Sequence, residues 1–272
     1  TLTNTGTLTN DDYLENDGLL ENDNLLENNG ILDNDSYLYN NATLINNGTL
    51  TNDNSLHNYG TLTNDGTLTN EGTVYNRNSG TITNTGTFTG GLLSIYEYGT
   101  VSVSGGIVDN TTIDNAGTLV FTGNSSFSGT LNGTDSWSSP EIYGTMVNNG
   151  TLDGTLTTNG TVELSGNGSF SGALTNAGYL NIAGALTNNG TLTNDFYLYS
   201  NGTLTNKGTL NNNIGDTLSN FGDLTNNDTL NNDGTLNNYY GGTLTNTGTL
   251  TNDDYLENDG MLDNNGILDN DF

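Results

Sequence analysis

The feature that most constrains this chain is a repeat of six residues. From residue 2 to residue 74 an aliphatic side chain stands at every sixth position without a slip, and Asn follows two residues after each one. The aliphatic positions are Leu2, Leu8, Leu14, Leu20, Leu26, Leu32, Leu38, Leu44, Leu50, Leu56, Leu62, Leu68 and Val74. The Asn positions are Asn4, Asn10, Asn16, Asn22, Asn28, Asn34, Asn40, Asn46, Asn52, Asn58, Asn64, Asn70 and Asn76. A short fixed period is typical of solenoids, in which each repeat packs only on its neighbours.

The hexad x-Gly-Thr-Leu-Thr-Asn predicts one short strand and one corner. Thr-Leu-Thr alternates polar and apolar residues with the period of a strand, and β-branched Thr favours extended backbone. Asn-x-Gly suits tight or left-handed turns. A helix is a poor alternative, because six does not match a period of 3.6 and each interior Gly would cost about 1 kcal/mol.

Stacking of the hexads would bury what a single hexad leaves exposed. The Leu side chains would form an internal column, each contributing roughly 1.5–3 kcal/mol. The Asn amides would form a second column that satisfies polar backbone groups at the corners. The sequence therefore predicts an all-β fold, a single-stranded parallel β-helix or β-solenoid built on a six-residue repeat.

The regularity of the repeat suggests one continuous solenoid over residues 1–272, with three sections. Regular hexads occupy 1–90 and 173–272, and divergent coils, which include Trp137 and Pro140, occupy 91–172. Wider spacings separate Val74 from Ile82, Leu210 from Leu218, and Leu236 from Leu244, so that two residues are added at one corner each time. Three hexads per turn would give about 15 coils, and two would give a longer rod; the period leaves both open.

A second repeat lies over the first, because residues 1–18 and 243–260 are identical in sequence. If a second copy followed directly, its Leu2 would stand one hexad after Leu268, and the hexad would continue in register. We therefore expect this chain to be one unit of a longer tandem array or head-to-tail filament. The expected contacts are made by Thr1, Leu2, Leu268 and Phe272.

Charge excludes several classes of partner. The chain has 31 Asp and Glu against 2 Lys and Arg, a formal net charge of -29. Phosphate and anionic membrane surfaces need basic side chains, so we expect neither a nucleic acid nor an anionic membrane surface as a partner. No apolar run approaches the length of a transmembrane helix, so we expect no membrane insertion. With 0 Cys the chain has neither disulfides nor thiolate metal sites.

The pattern Leu-x-Asn-x-Gly-x-Leu-x-Asn resembles the filamentous-haemagglutinin-type repeats of bacterial adhesins. The middle section, with Gly-Thr-Leu-Val-Phe-Thr-Gly-Asn, resembles autotransporter passenger repeats, and the strict hexad is also similar to hexapeptide left-handed β-helices. The first two resemblances imply a right-handed parallel β-helix in a secreted or surface-displayed bacterial protein. They lie in a repeat and imply no site residues.

The surface side chains suggest three chemistries. The carboxylates recur at corners and outward strand positions, which predicts a solvated surface. We expect no enzyme, no catalytic residues and no cofactor. The alternative to a cofactor-free surface is calcium bound by clustered Asp and Asn oxygens. Thr-x-Thr pairs indicate ice binding only where they form an unbroken plane, and the face that starts at Thr1 and Thr3 does not. Exposed Tyr side chains could bind glycans or stack along the rod.

These observations predict an acidic extracellular or cell-surface bacterial structural protein, a stiff rod or filament such as a surface fibre, sheath or adhesin stalk. The alternative function is an adhesive module that recognises a glycan or another surface. Ice binding is a further alternative.

Overall fold

The structure is a computed structural model that describes residues 1–122, 124–133, 144–148, 151–153 and 155–271. The described residues form 40 strands and no helix. They divide into two compact units, Thr1–Gly144 and Thr145–Phe272. The fold is a parallel β-solenoid, as the hexad predicts, and it has about 13 turns.

The first twenty strands share the short hexad form until the middle section. They are β1 (Leu2–Asn4), β2 (Thr7–Asn10), β3 (Tyr13–Asn16), β4 (Leu19–Asn22), β5 (Leu25–Asn28), β6 (Ile31–Asn34), β7 (Tyr37–Asn40), β8 (Thr43–Asn46), β9 (Thr49–Asn52), β10 (Ser55–Asn58), β11 (Thr61–Asn64), β12 (Thr67–Asn70), β13 (Thr73–Asn76), β14 (Thr81–Asn84), β15 (Thr87–Thr89), β16 (Leu92–Ile95), β17 (Thr100–Ser104), β18 (Ile107–Asn115), β19 (Thr118–Thr122) and β20 (Asn124–Gly133).

The other twenty strands return to the hexad form after the middle section. They are β21 (Gly144–Asn148), β22 (Thr151–Asp153), β23 (Thr155–Ser165), β24 (Asn167–Phe170), β25 (Ala173–Asn176), β26 (Tyr179–Ile182), β27 (Ala185–Asn188), β28 (Thr191–Asn194), β29 (Tyr197–Ser200), β30 (Thr203–Asn206), β31 (Thr209–Asn212), β32 (Thr217–Asn220), β33 (Asp223–Asn226), β34 (Thr229–Asn232), β35 (Thr235–Asn238), β36 (Thr243–Asn246), β37 (Thr249–Asn252), β38 (Tyr255–Asn258), β39 (Met261–Asn264) and β40 (Ile267–Asn270).

Three hexads close one turn. β1 pairs in parallel with β4, placing Leu2 beside Leu20, and β4 pairs with β7, placing Leu20 beside Leu38. In the first unit three faces result. Face 1 contains β1, β4, β7, β10, β13 and β16; face 2 contains β2, β5, β8, β11, β14 and β17; face 3 contains β3, β6, β9, β12 and β15. Residues three hexads apart therefore share a column in the regular coils.

The turn count is lower than uniform three-hexad coils would give. Two-residue insertions lengthen some coils, so that Leu62 lies beside Ile82 and Leu198 beside Leu218. The middle section also uses longer strands, with 9 residues in β18 and 11 in β23. Trp137 and Pro140 lie outside the described residues. The continuity of the solenoid from end to end, and its handedness, stay predictions.

The corners differ from the sequence expectation in their backbone. Among the described residues, positive φ occurs at only three non-glycine and six glycine positions, and the ordinary hexad corners are not among them. Instead, the two-residue insertions carry it, at Asn78, Gly215 and Gly241. At each insertion a β-turn hydrogen bond forms, for example from the Asp216 N–H to the Asn213 carbonyl at 3.1 Å. The added residues are thus accommodated by a tight turn that leaves the coil beneath unchanged.

Candidate functional surfaces

The predicted apolar column lines the interior of the first unit. Leu20 through Leu68 at six-residue intervals, and Val74, are at most 1% exposed. Leu8 and Leu14 are half-buried and Leu2 is 43% exposed, because they lie in the first described coil and have a neighbouring coil on one side only. Leu186, Leu204 and Leu244 occupy the same kind of position in the second unit and are also buried.

The Asn column is buried as well, and its amides connect coil to coil. The Asn46 Nδ2 donates to Asn64 Oδ1 at 2.7 Å and to the Thr67 carbonyl at 2.9 Å, while Asn46 Oδ1 accepts from Asn28 Nδ2 at 2.7 Å. Each amide therefore links three successive coils. It also satisfies a backbone carbonyl at the start of the strand after the corner, where an unpaired group would be costly.

Every Asn position in the predicted column carries this arrangement or a variant of it. Asn4, Asn10 and Asn16 donate to the next amide at 2.6–2.8 Å although they are slightly more exposed. At the upper end, Asn70 and Asn76 donate to carbonyls, because the divergent coil above them offers no Asn; Ile95, for example, lies beside Asn76. The amides of the column are therefore engaged in hydrogen bonds between coils, which is a structural role.

In the second unit two of the Asn columns begin above residues that carry no amide. Phe170 lies beside Asn188 and Ser200 beside Asn220, and neither neighbour donates an amide. Asn188 Oδ1 and Asn220 Oδ1 are buried and have no hydrogen-bond partner. The Ser200 hydroxyl is likewise buried without a partner. These three unsatisfied atoms lie where the Asn repeat is absent, whereas a fourth, Asn237 Oδ1, lies in the regular strand β35.

Acidic side chains share one corner column of the first unit. Asp17, Asp35, Asp53 and Glu71 are spaced three hexads apart, so three-hexad closure places them in line. Carboxylate oxygens of Glu15, Asp17 and Asp35 lie within 4.8 Å of one another, as do those of Asp33, Asp35 and Asp53.

These two exposed triplets are the places among the described residues where a cation could be held by carboxylates. Partial desolvation, followed by the charges of Asp33, Asp53 and Asp17, raises the pKa of Asp35. Desolvation and the charges of Glu71 and Asp33 likewise raise the pKa of Asp53. The column therefore carries mutual repulsion that protons or counterions relieve.

Aromatic rings stack along face 1. The Tyr39 and His57 ring centroids are 4.7 Å apart, and those of His57 and Tyr75 are also 4.7 Å apart, with near-parallel planes. The Arg77 guanidinium lies over Tyr75 and over Tyr96 at 4.8 and 4.7 Å from the ring centroids. The faces between these rings are thus covered by one another, and Arg77 covers a face of Tyr75 and of Tyr96.

His57 is the only histidine, and its role follows from that stack. Arg77 Nε–H donates to His57 Nδ1 at 3.0 Å. Burial, and then the positive charge of Arg77, lower the pKa of His57. The imidazole therefore stays neutral at pH 7 and accepts the Arg77 hydrogen bond. Three-hexad closure brings Arg77 to His57 from the next coil.

A second aromatic column lies in the second unit. Tyr179 and Tyr197 stack at 5.2 Å between ring centroids and 4° between planes, and Phe196 packs its edge against both. Tyr199, Phe221 and Tyr239 continue this aromatic surface at 4.5–6.4 Å. Of the two roles that the sequence leaves open for Tyr, stacking along the rod is the one that these two columns show, because their rings pack on each other.

Threonine pairs align on face 2 and face 3, and not on the face that starts at Thr1 and Thr3. On face 2, Thr61 and Thr63 lie beside Thr81 and Thr83. The row of Thr61 and Thr81 continues to Thr43 on one side and to Thr100 on the other. On face 3, three successive strands carry Thr49/Thr51, Thr67/Thr69 and Thr87/Thr89. Comparison of residues one coil apart would have found these rows, but only once the number of hexads per turn was known.

The predicted head-to-tail contacts are only partly described. Leu2 is 43% exposed and Leu268 is 37% exposed, Thr1 is exposed, and Phe272 lies outside the described residues. Contact between these groups in an assembly stays a prediction. Among the described residues no helix is long and apolar enough to cross a membrane.

The geometry defines the class of protein as a parallel β-solenoid with three hexads per turn. Beyond that class, no protein-family model, curated protein or solved structure matches the chain.

Proposed function

We propose that this chain is a structural module of a stiff extracellular rod or filament, such as a bacterial surface fibre, sheath or adhesin stalk. The observation that carries the proposal is the repeated coil-to-coil register. Each regular hexad presents the same buried Leu and the same hydrogen-bonding Asn to the coil on either side. A coil of this kind can therefore be extended by another coil of the same kind, in the same chain or in another copy.

The identity of residues 1–18 and 243–260 supports extension into an array. The resemblance to filamentous-haemagglutinin-type and autotransporter passenger repeats supports a secreted or surface-displayed bacterial protein. The buried Asn columns make the solenoid more rigid, because bending it would stretch amide hydrogen bonds of 2.7 Å on the convex side.

Electron microscopy and sedimentation of the purified chain at rising concentration test the filament. We expect fibres one solenoid wide whose length grows with concentration. Leu268→Glu should shorten them, because it places a charge at an exposed side chain that a junction would bury. Ile214→Glu is the matched control, since Ile214 is 84% exposed at a corner turn and should not affect length. Short single rods at every concentration would contradict non-covalent stacking.

Glycan adhesion is less well supported than the structural role. A sugar ring stacks on an open aromatic face, and in the aromatic column of face 1 neighbouring rings cover both faces of His57 and one face each of Tyr39 and Tyr75. Open aromatic surface remains at isolated corner positions, chiefly Tyr98 at 77% and Tyr240 at 92% exposure. Glycan binding that is lost in Tyr240→Ala and kept in Tyr75→Phe would favour the adhesive function.

Ice binding is the second candidate, and face 2 is the specific observation that favours it. Its Thr side chains repeat at about 4.8 Å between coils and about 6.6 Å along each strand. The outward positions of β8, β11, β14 and β17 carry no carboxylate, although the chain has 31 acidic residues. An uncharged, regular array of hydroxyl and methyl groups suits an ordered water surface.

Thermal hysteresis of the purified protein tests this candidate. We expect hysteresis that Thr63→Lys, in the centre of face 2, abolishes. Thr205→Lys in the second unit serves as the control, because β30 lies outside face 2. Absence of hysteresis in the unmodified protein would rule the candidate out.

A further inference from the structure

Tyr179 and Tyr197 form an unusual pair in the second aromatic column. β26 and β29 pair in parallel, and their register sets Tyr179 directly beside Tyr197. Their rings lie 5.2 Å apart between centroids and are parallel to within 4°. Tyr179 is 42% exposed and Tyr197 half-buried, so small oxidants reach the pair.

Among the described strands this is the single register pair of two tyrosines. His57 separates Tyr39 from Tyr75 along face 1, and its ring occupies the place between them. The corner residue Phe221 separates Tyr199 from Tyr239 in the same way. Tyrosines that alternate along one strand are further apart, at 6.2 Å between the Tyr197 and Tyr199 centroids.

Phe196 holds the two rings in place. Its ring meets Tyr179 edge-on at 5.1 Å and Tyr197 at 4.7 Å, with interplanar angles of 84° and 82°. The main-chain ladder fixes the two backbones at the spacing of neighbouring strands, about 4.8 Å. Two phenols held side by side in this way have already lost most of the freedom that a bond between them would remove.

We propose that Tyr179 and Tyr197 are a site of oxidative modification, at which a dityrosine bond joins two successive coils. A haem peroxidase with hydrogen peroxide removes one electron and one proton from each phenol. The two tyrosyl radicals couple through ring carbons ortho to the hydroxyls, and each ring then loses its ortho proton to the phenolic oxygen and becomes aromatic again. One C–C bond forms, two hydrogen atoms leave, and one peroxide is reduced to two waters.

The bond would act as a covalent staple within the solenoid. It would close a loop of one coil between β26 and β29, which restricts the unfolded chain in the way that a disulfide does in this cysteine-free sequence. Because the pairing depends only on the register of these two strands, the same bond would form in an adhesive or an ice-binding solenoid as well.

Peroxidase treatment at low protein concentration tests the proposal. After denaturation, cleavage before Asp195 separates the two tyrosines, because it is the only Asp between residues 179 and 197. We expect the two resulting peptides to remain joined, with the mass of their sum less two hydrogens and with dityrosine fluorescence. The linked protein should also unfold at a higher temperature than the untreated protein.

Two conservative variants assign the bond. Tyr197→Phe should abolish the linked peptide, whereas Tyr199→Phe should retain it, and Tyr199 is the matched control because it lies on the same strand and on the same peptide. Retention of the link in Tyr197→Phe would overturn the proposal. So would dityrosine formed mainly between molecules, seen as covalent dimers whose yield rises with protein concentration.

Discussion

At the scale of the residue, the buried Asn amide is the most consequential group in the molecule. Each buried Asn is both an acceptor and a donor, since its Oδ1 accepts a hydrogen bond from the coil before and its Nδ2 donates one to the coil after. The cost of removing it comes mainly from the partners left behind. A buried donor or acceptor without a partner costs about 1–3 kcal/mol.

Asn46→Ala should therefore destabilise the protein by roughly 2–4 kcal/mol, because Asn64 Oδ1, the Thr67 carbonyl and Asn28 Nδ2 each lose a contact. The check is denaturant unfolding, with hydrogen exchange of the amides in β8 and β11 as a local probe. Asn47→Ala is the control. Asn47 is exposed at the adjacent corner, and its loss should change stability by at most about 0.5 kcal/mol.

The same reasoning predicts a stabilising change. Ser200→Asn would extend one amide column by one coil, and the new Nδ2 would donate to the unpartnered Asn220 Oδ1. We expect stability to rise by about 1 kcal/mol. Ser200→Ala separates the effects, because it removes the buried hydroxyl without satisfying Asn220. Equal stability of the Asn and Ala variants would show that the amide contact contributes nothing there.

At the scale of the element, the corner decides how closely two coils approach. Most corner glycines have ordinary φ, so their small size matters more than their freedom. A Cβ placed on Gly48 would lie 2.1 Å from the Gly30 carbonyl oxygen of the coil before. Glycine at this corner is therefore required by contact between backbones.

Gly48→Ala should destabilise the solenoid by roughly 1–3 kcal/mol, because the backbone of one coil must shift to remove that overlap. Gly6→Ala is the matched control, since a Cβ there meets nothing within 4 Å. Thermal unfolding of the two variants makes the comparison. Similar losses for both would show that the effect comes from glycine's chain entropy and not from the close approach.

At the scale of the whole molecule, the net charge of -29 opposes folding most where the acids line up. The pKa of Asp35 and of Asp53 is raised in the folded protein. A carboxyl group with a raised folded pKa destabilises the fold when ionised. That cost is present at neutral pH, declines as the pH falls through the folded pKa, and is absent below the ordinary value of 3.8.

Thermal stability at low salt should consequently rise as the pH is lowered from neutral through the raised folded pKa of these two carboxyl groups towards 3.8. Added salt at pH 7 should produce a similar rise, because exposed charges are screened. Asp35→Asn should raise the unfolding temperature at pH 7 and weaken its dependence on pH. Asp12→Asn removes one charge outside the column and should do so much less. A larger effect of calcium than of sodium at equal ionic strength, lost in Asp35→Asn, would indicate a specific cation site instead.

The sequence by itself determined the elements of this protein. The hexad specifies a strand that carries one inward Leu and one inward Asn, and Leu20 and Asn22 lie inside for that local reason alone. Only the tertiary structure decided which residues meet. The number of hexads per turn depends on how the corners close the coil, and a period of six is compatible with two or three. Three-hexad closure places Asp17 beside Asp35, Arg77 beside His57, and Tyr179 beside Tyr197. The buried residues can therefore be predicted from the sequence, because their inward position follows from a single repeat. The surface contacts cannot, because they form between residues of different repeats.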